Sequence, residues 1–221
     1  MPTFFKFKPL WLALAACAAT PLAAQEIARL YAARAPAGSA YVRVVTETDR
    51  PLRVTFGGKQ EALDGQRRPA SDYRIIDARA PMAVKADGRE LPVLPIAAGS
   101  FNTVIIGPGK AVLLADATDT RDDLKAELRF YNLVAGCDAA LALKNGPTVF
   151  ERVAYRGSAR RNINPVKAAL RAGCASAPDG ATATLPALKS GDHVSLFLLG
   201  DAARPRLHVQ VDATENAAAG R

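Results

Sequence analysis

Apolar and polar residues alternate with a period of two along most of this chain. In the stretch 41–45, Val42 and Val44 lie on one face and Arg43 lies on the other, as expected for a half-buried β-strand. Several such stretches end in turns typical of β-hairpins, including Gly57-Gly58 and Asp87-Gly88. The pattern predicts strands in the first half at 41–45, 53–56, 81–85, 90–96, 101–106 and 111–115.

The same pattern starts again in the second half. A further strand is predicted to begin after Pro165, although residues 165–172 also fit a helix. Short motifs recur in the same order in both halves, and the last is Asp-Ala-Thr at 116–118 and again at 212–214. This repetition predicts a duplicated β domain. The other strands predicted here are 127–131, 140–144, 148–153, 194–199 and 207–211, and the other repeated motifs are Leu94-Pro95 with Leu185-Pro186, Gly99 with Gly191, and Gly107 with Gly200.

The predicted fold is all-β, with two tandem small antiparallel β-sandwich (Ig-like) domains joined by a short linker. Residues 116–125 are polar and do not alternate, which is typical of a linker. We therefore expect an N-terminal β-sandwich domain at 25–115, the linker at 116–125, and a C-terminal β-sandwich domain at 126–221. Each half is long enough for a small sandwich core.

The first 24 residues have the anatomy of a secretory signal peptide. Lys6 and Lys8 precede an apolar run, and Ala23-Ala24 supplies small residues for cleavage. We therefore expect an exported protein released by a cleavable signal peptide. An alternative is a lipoprotein anchored through Cys17, because Leu14-Ala15-Ala16-Cys17 resembles a lipobox; the short apolar run before Cys17 makes this the less favoured interpretation.

Composition and charge narrow the possible functions. The chain has 221 residues, a net charge of +8, three cysteines and two histidines. Loss of residues 1–24, which carry two lysines and no acidic residue, lowers the net charge to +6. So few histidines and cysteines leave little material for a metal site or imidazole chemistry, and we expect neither a metal nor a cofactor.

Two cysteines, Cys137 and Cys174, remain after removal of the signal peptide. Export places the chain in an oxidising compartment, where an even pair indicates a disulfide. The alternative is a catalytic thiol, but no histidine lies near either cysteine in the sequence. We therefore expect a disulfide worth about 3–4 kcal/mol in the chain-entropy model.

Catalytic motifs are missing from the sequence. The best candidates for a hydrolase are Asp192, His193 and Ser195, but their spacing matches no esterase pattern. There is no G-x-S-x-G and no phosphate-binding loop. The favoured interpretation of residues 190–195 is a polar turn that leads into a buried strand.

Basic residues are concentrated between 152 and 171. Residues 152–171 contain no acidic residue, and Glu151 lies directly at the edge of this region. An acidic polysaccharide or an acidic protein face would bind such a cluster in a salt-dependent way, whereas nucleic acid is not expected as a partner of an exported protein. The other interpretation is a solvated charged face with no partner. The cluster contains Arg152, Arg156, Arg160, Arg161, Lys167 and Arg171.

Two motifs resemble a known family. Leu30-Tyr31, followed by Ala-Pro-Ala-Gly-Ser-Ala-Tyr-Val-Arg-Val at 35–44, resembles the start of mature members of the AlgF family of alginate O-acetylation proteins. Arg161-Asn-Ile-Asn-Pro-Val-Lys167 resembles an element in the second half of that family. Between about Pro51 and Leu128 only the pattern matches, and Cys137 and Cys174 are not part of the family pattern.

The resemblance implies a non-catalytic periplasmic adaptor, not an enzyme, that is required for O-acetylation of an exopolysaccharide, most simply alginate. It implies partners of two kinds, a membrane O-acyltransferase (AlgI-like) and SGNH-type periplasmic acetyltransferases (AlgJ- and AlgX-like). The alternatives are a polysaccharide-binding module without a role in acetyl transfer and the acetylation of another polymer, such as cellulose. Candidate contact residues for partner or polymer are Arg43, Arg156, Arg160, Arg161, Asn164, Lys167 and Arg171, with Arg43, Arg161 and Lys167 expected to be exposed; residues 162–166 have a structural interpretation as well.

Overall fold

The computed structural model describes residues 35–119, 122–175 and 180–215. Within these ranges the chain forms sixteen β-strands and no helix. The predicted signal peptide, Cys17 and the Leu30-Tyr31 motif lie outside the described residues. The first half contains β1 (Ser39–Thr46), β2 (Pro51–Phe56), β3 (Lys59–Asp64), β4 (Arg74–Asp77), β5 (Met82–Ala86), β6 (Arg89–Leu94), β7 (Phe101–Gly107) and β8 (Lys110–Asp116). The second half contains β9 (Ala126–Asn132), β10 (Ala139–Leu143), β11 (Thr148–Val153), β12 (Gly157–Ile163), β13 (Ala169–Cys174), β14 (Ala181–Thr184), β15 (His193–Gly200) and β16 (Pro205–Val211).

Each half is a sandwich of two four-stranded sheets. The first half has a first outer sheet with strand order β3-β2-β5-β6 and a first inner sheet with order β4-β1-β7-β8. The second half has a second inner sheet, β12-β9-β15-β16, and a second outer sheet, β11-β10-β13-β14. The predicted all-β fold with two sandwich domains is therefore confirmed. Asp116, predicted to begin the linker, is the last residue of β8 and is buried.

The sheets differ from the prediction in one detail, because each inner sheet contains a parallel pair. β1 pairs in parallel with β7, and β9 pairs in parallel with β15. All other strand pairs are antiparallel. The parallel pairs bring the first strand of each half to the centre of its inner sheet, between two neighbours.

Three apolar clusters connect the four sheets. One fills the first sandwich and includes Val42, Val44 and Phe56. Another fills the second sandwich and includes Leu128 and Phe130. A third lies between the two inner sheets and consists of Val45, Ala70, Ile105, Tyr131, Leu133, Phe197 and Leu199. The two sandwiches thus stack as four layers, and both faces of each inner sheet are covered.

Turns and the disulfide agree with the sequence patterns. Asp87 and Gly88, between β5 and β6, both have positive φ, as a tight hairpin requires. Gly38 also has positive φ and precedes β1, consistent with a turn before the first strand. The predicted disulfide between Cys137 and Cys174 is present; it joins residues 37 positions apart, both within the second half.

Candidate functional site

The most concentrated group of polar side chains lies between the two inner sheets. Successive side chains of a strand point to opposite faces of its sheet, so β1 places Val42 and Val44 in the first core and Arg43 on the other face. That face packs against the second inner sheet rather than facing water. We call this group the interface cluster; its members are Arg43, Tyr73, Thr103, Asp116, Arg129, Tyr131, Ser195 and Asp212.

Arg43 is at the centre of the interface cluster, and its side chain is 0% exposed. Nη1 donates to Oδ1 of Asp212 at 2.7 Å. Nη2 donates to the hydroxyls of Tyr131 and Ser195, both at 2.7 Å, and Nε donates to Oγ1 of Thr103 at 2.9 Å. These acceptors come from both halves of the chain, so Arg43 links the two sandwiches directly.

Asp116 accepts hydrogen bonds from three hydroxyls of the interface cluster. Thr103 Oγ1 and Tyr131 Oη each donate to Asp116 at 2.6 Å, and Tyr73 Oη donates at 2.8 Å. Arg129 Nη1 lies 3.4 Å from Asp116 Oδ1. On the other side, Ser195 Oγ donates to Asp212 Oδ2 at 3.0 Å. Each of these carboxylates is therefore held by hydroxyls and by an arginine.

Burial controls how the interface cluster ionises. Burial raises the pKa of the Asp212 carboxyl, and the charge of Arg43 opposes that rise. Burial also raises the pKa of the Tyr73 and Tyr131 phenols, so both stay protonated and act as hydrogen-bond donors. Burial opposes ionisation of Glu127 too, but hydrogen bonds with His193 and Arg129 outweigh it and lower its pKa to about 2.

The expectation that Arg43 is an exposed contact residue is wrong. Its strand alternates as predicted, but the face opposite the first core is covered by the second sandwich. A buried guanidinium needs a full set of acceptors, and the interface cluster supplies them. Arg43 is therefore an internal link of this protein and is not available to a partner or polymer.

The remaining candidates divide into paired and exposed residues. Arg156 binds Glu47 through Nε and Nη2, both at 2.6 Å, across the two halves. Arg160 is partly buried between Asp119 and Glu127, and Arg171 is partly buried in β13. Arg161, Asn164 and Lys167 are exposed. Arg152, a further member of the predicted basic cluster, pairs with Asp138 at 2.9 Å.

Of the exposed candidates, Arg161 lies near the end of β12 and Asn164 and Lys167 lie in the loop between β12 and β13, beside a shallow groove. The groove has a volume of about 560 Å³ and is bordered by the ends of β14 and β16. Within this region Val166 is 46% exposed and Val211 is 38% exposed. Ile163, at the end of β12, packs against the second core. The motif at 161–167 thus packs Ile163 against the second core and leaves Arg161, Val166 and Lys167 exposed to solvent. The lining residues are Lys167, Thr184, Leu185, Pro186, Ala187, Val209 and Val211.

The candidate hydrolase residues have separate partners. Ser195 is 0% exposed and is bonded to Arg43 and Asp212. His193 Nδ1 lies 3.7 Å from Glu127, and Asp192 accepts a hydrogen bond from the backbone N–H of Lys189. A catalytic serine must reach its substrate and be activated by a base, and Ser195 is sealed between two sheets. This geometry does not support it as a nucleophile.

Most members of the interface cluster were not predicted as functional residues. Tyr73, Asp116, Arg129, Tyr131 and Asp212 occupy ordinary strand or loop positions in the sequence. The one available signal was the repeated Asp-Ala-Thr, because it places Asp116 and Asp212 at matching points of the two halves. Their arginine partners could not be identified without knowing that the inner sheets face each other.

Comparison with known proteins identifies the family. Residues 10–181 match the family described as "Alginate O-acetyl transferase AlgF". The chain belongs to the AlgF family. The resemblance carried by the motifs near residues 35–44 and 161–167 is thereby confirmed, and the chain belongs to a family involved in alginate O-acetylation.

Relatives agree with this assignment. The chain is 30% identical over 143 residues to the alginate biosynthesis protein AlgF of Pseudomonas putida, covering 63% of this chain and 64% of that protein, so the match spans less than two thirds of the relative. It is 31% identical over 154 residues to AlgF of Azotobacter vinelandii, covering 68% of each. The solved C-terminal domain of AlgF from P. aeruginosa is 27% identical, with 40% of this chain and 98% of that domain covered and a TM-score of 0.35.

Residues 35–119, 122–175 and 180–215 hold no helical segment with the length and apolarity that a membrane crossing needs. The same part of the chain shows no group of three His, Cys, Asp or Glu side chains that could hold a metal ion.

Proposed function

We propose that this AlgF family member is a non-catalytic accessory protein of periplasmic alginate O-acetylation. One observation supports this most directly: hydroxyl and carboxyl groups that lie close enough for chemistry are buried between the inner sheets and bonded to one another. Ser195, Asp116 and Asp212 stabilise the stack and leave no reachable nucleophile among them. The protein would then act by binding the proteins that carry out transfer.

The docking surface that we propose is the exposed motif loop with its groove. Arg161 and Lys167 supply positive charge, Asn164 supplies a polar contact, and Val166 and Val211 supply exposed apolar surface. A partner face with acidic and apolar residues would complement it. An AlgJ- or AlgX-like periplasmic acetyltransferase is the proposed occupant, working with an AlgI-like membrane O-acyltransferase.

The test is complementation of a deletion strain. Wild-type protein should restore acetyl groups on secreted alginate, and the variant R161E/K167E should leave them near the deletion level while accumulating normally in the periplasm. Arg89→Glu, at an exposed position of β6 in the other sandwich, is the matched control and should complement fully. Normal acetylation in the deletion strain would refute the accessory role. Full complementation by R161E/K167E would refute the docking surface alone.

The same strains test the remaining proposals. Acetyl content is measured on alginate and on cellulose, so a defect confined to cellulose would change the assigned polymer. The intact mass of the protein from the periplasmic fraction should correspond to cleavage after Ala24. An acylated Cys17 at the N-terminus would instead establish a lipoprotein.

Direct polyanion binding is the weaker alternative. Arg152, Arg156 and Arg160 all face acidic partners within the chain. Their charge is therefore largely neutralised before any polymer arrives, and only part of the predicted basic cluster remains to bind one. Binding to purified alginate that falls steeply with salt would restore this alternative.

A further inference from the structure

The two halves of the chain have the same strand topology. The first inner sheet has the order β4-β1-β7-β8, and adding eight to each number gives the second inner sheet, β12-β9-β15-β16. The outer sheets obey the same rule. The parallel pairs correspond as well, since β1 with β7 matches β9 with β15. The duplication that the sequence motifs predicted is therefore present strand by strand.

The interface cluster is duplicated along with the strands. In the first half Arg43 is in register with Thr103, and in the second half Arg129 is in register with Ser195. The two aspartates also correspond. Asp116 pairs with the residue two positions before Thr103, and the backbone N–H of Asp212 bonds to the residue two positions before Ser195. Each half thus contributes one arginine, one hydroxyl and one aspartate at matching positions.

These two sets are joined crosswise. Each aspartate accepts a hydrogen bond from the hydroxyl of its own half, from Thr103 at Asp116 and from Ser195 at Asp212. Each aspartate also meets the arginine of the opposite half, since Arg43 contacts Asp212 at 2.7 Å and Arg129 contacts Asp116 at 3.4 Å. When residue i of one unit contacts residue j of the other and j contacts i, the interface is self-complementary, as in a two-fold symmetric dimer.

Further contacts across the halves surround this centre. Glu47 pairs with Arg156, and Asp49 pairs with Arg206. The backbone of residue 73 bonds to residues 213 and 215 near the end of the second half. The disulfide lies within the second half, so it does not join the two units. The interface between the two halves therefore combines an apolar cluster, two buried arginine–aspartate pairs and further ion pairs at its periphery.

We propose that the inner face of each sandwich is a self-complementary association surface, so that the two halves bind each other independently of the linker. The partner that this surface fits is a second sandwich carrying the same arginine, hydroxyl and aspartate set. In the intact chain that partner is the other half. Outside proteins must then dock on the outer sheets, the strand edges or the loops.

The test is to cut the full chain between β8 and β9. A specific protease site is inserted into the segment that joins them, and the purified protein is cleaved and analysed by sedimentation velocity. The halves should sediment together at the rate of the intact chain, and should do so in about 1 M salt, because buried pairs are screened little. Separation of the two halves after cleavage would overturn the proposal.

A charge-reversal series tests how the two halves dock without touching the interface cluster. Glu47→Arg and Arg156→Glu should each weaken association of the cut halves, and the double variant E47R/R156E should restore it. Reversal of the exposed Lys85–Glu90 pair within the first half is the control and should change nothing. Single variants that associate like wild type, or a double variant no better than the singles, would overturn the assigned docking register.

Discussion

Replacement of Arg43 by methionine removes a charge from the middle of the molecule while keeping a long apolar stem. Asp212, whose side chain is 11% exposed, would lose its arginine, and Tyr131 and Ser195 would each lose a donor. An uncompensated charge between two sheets is costly because water cannot reach it. The variant therefore tests whether the interface cluster stabilises the protein.

The expected loss follows from the geometry. Removing one partner of a buried ion pair costs about 3–5 kcal/mol, and we expect a loss in that range at pH 7. Burial already raises the pKa of Asp212. Without Arg43 the carboxyl should become protonated more readily, so the loss should shrink as the pH is lowered. In the double variant R43M/D212N the buried charge is absent, and a coupling free energy of about 2 kcal/mol should reappear as recovered stability.

The assay is urea unfolding of the four proteins of this cycle, followed by near-ultraviolet circular dichroism. Arg79→Met is the matched control, because Arg79 pairs with Asp77 at an exposed site, with side chains 80% and 56% exposed. Such an exposed pair contributes little to stability. An Arg43→Met loss no larger than that of the control, together with a coupling below about 0.5 kcal/mol, would refute this account of the interface.

Three further outcomes are expected. The pKa of Glu127 is lowered to about 2, so its ionised carboxylate stabilises the folded chain above the ordinary carboxyl pKa, and this stabilisation is lost as the pH falls towards 2. Glu127→Gln should therefore make stability depend less on pH in the acid range. An unchanged pH dependence would contradict this. Reduction of the Cys137–Cys174 disulfide should cost about 3–4 kcal/mol, seen as a lower thermal midpoint, and an unchanged midpoint would show that the cross-link is not stabilising. A Cβ on Gly65 would lie 1.8 Å from the carbonyl oxygen of Thr48, so Gly65→Ala should lower stability measurably, and wild-type stability would show that this turn is not constrained.

Most strands could be predicted because alternation and turn residues are local signals, and the duplication could be predicted because its short motifs recur in the same order. The strands β3, β4, β12 and β14 were not predicted. Alternation identified which residues share a face of β1, and glycine turns such as Asp87-Gly88 identified where a hairpin reverses. The motif at 161–167 identified the family. These signals lie in contiguous residues, so a single sequence was sufficient to recognise them.

The role of Arg43 could not be predicted because alternation does not show what covers a face. A polar residue between valines is typical of a sheet with one side in water, and that reasoning placed Arg43 on the surface. The stacking of two sandwiches reversed its environment. The buried positions of Glu127 and Arg129 in β9 have the same cause.

The location of Asp212 has a consequence for how the chain must mature. The carboxylate that pairs with Arg43 lies 169 positions further along the chain, and the backbone of residue 73 bonds to residues 213 and 215. The first sandwich therefore cannot complete its polar contacts until the residues that follow the last strand are available. Contacts of such long sequence separation form late and slowly. A product that stops before Asp212 would keep all of β1 to β8 but lack the carboxylate partner of Arg43, so its first half should be less stable than in the full chain.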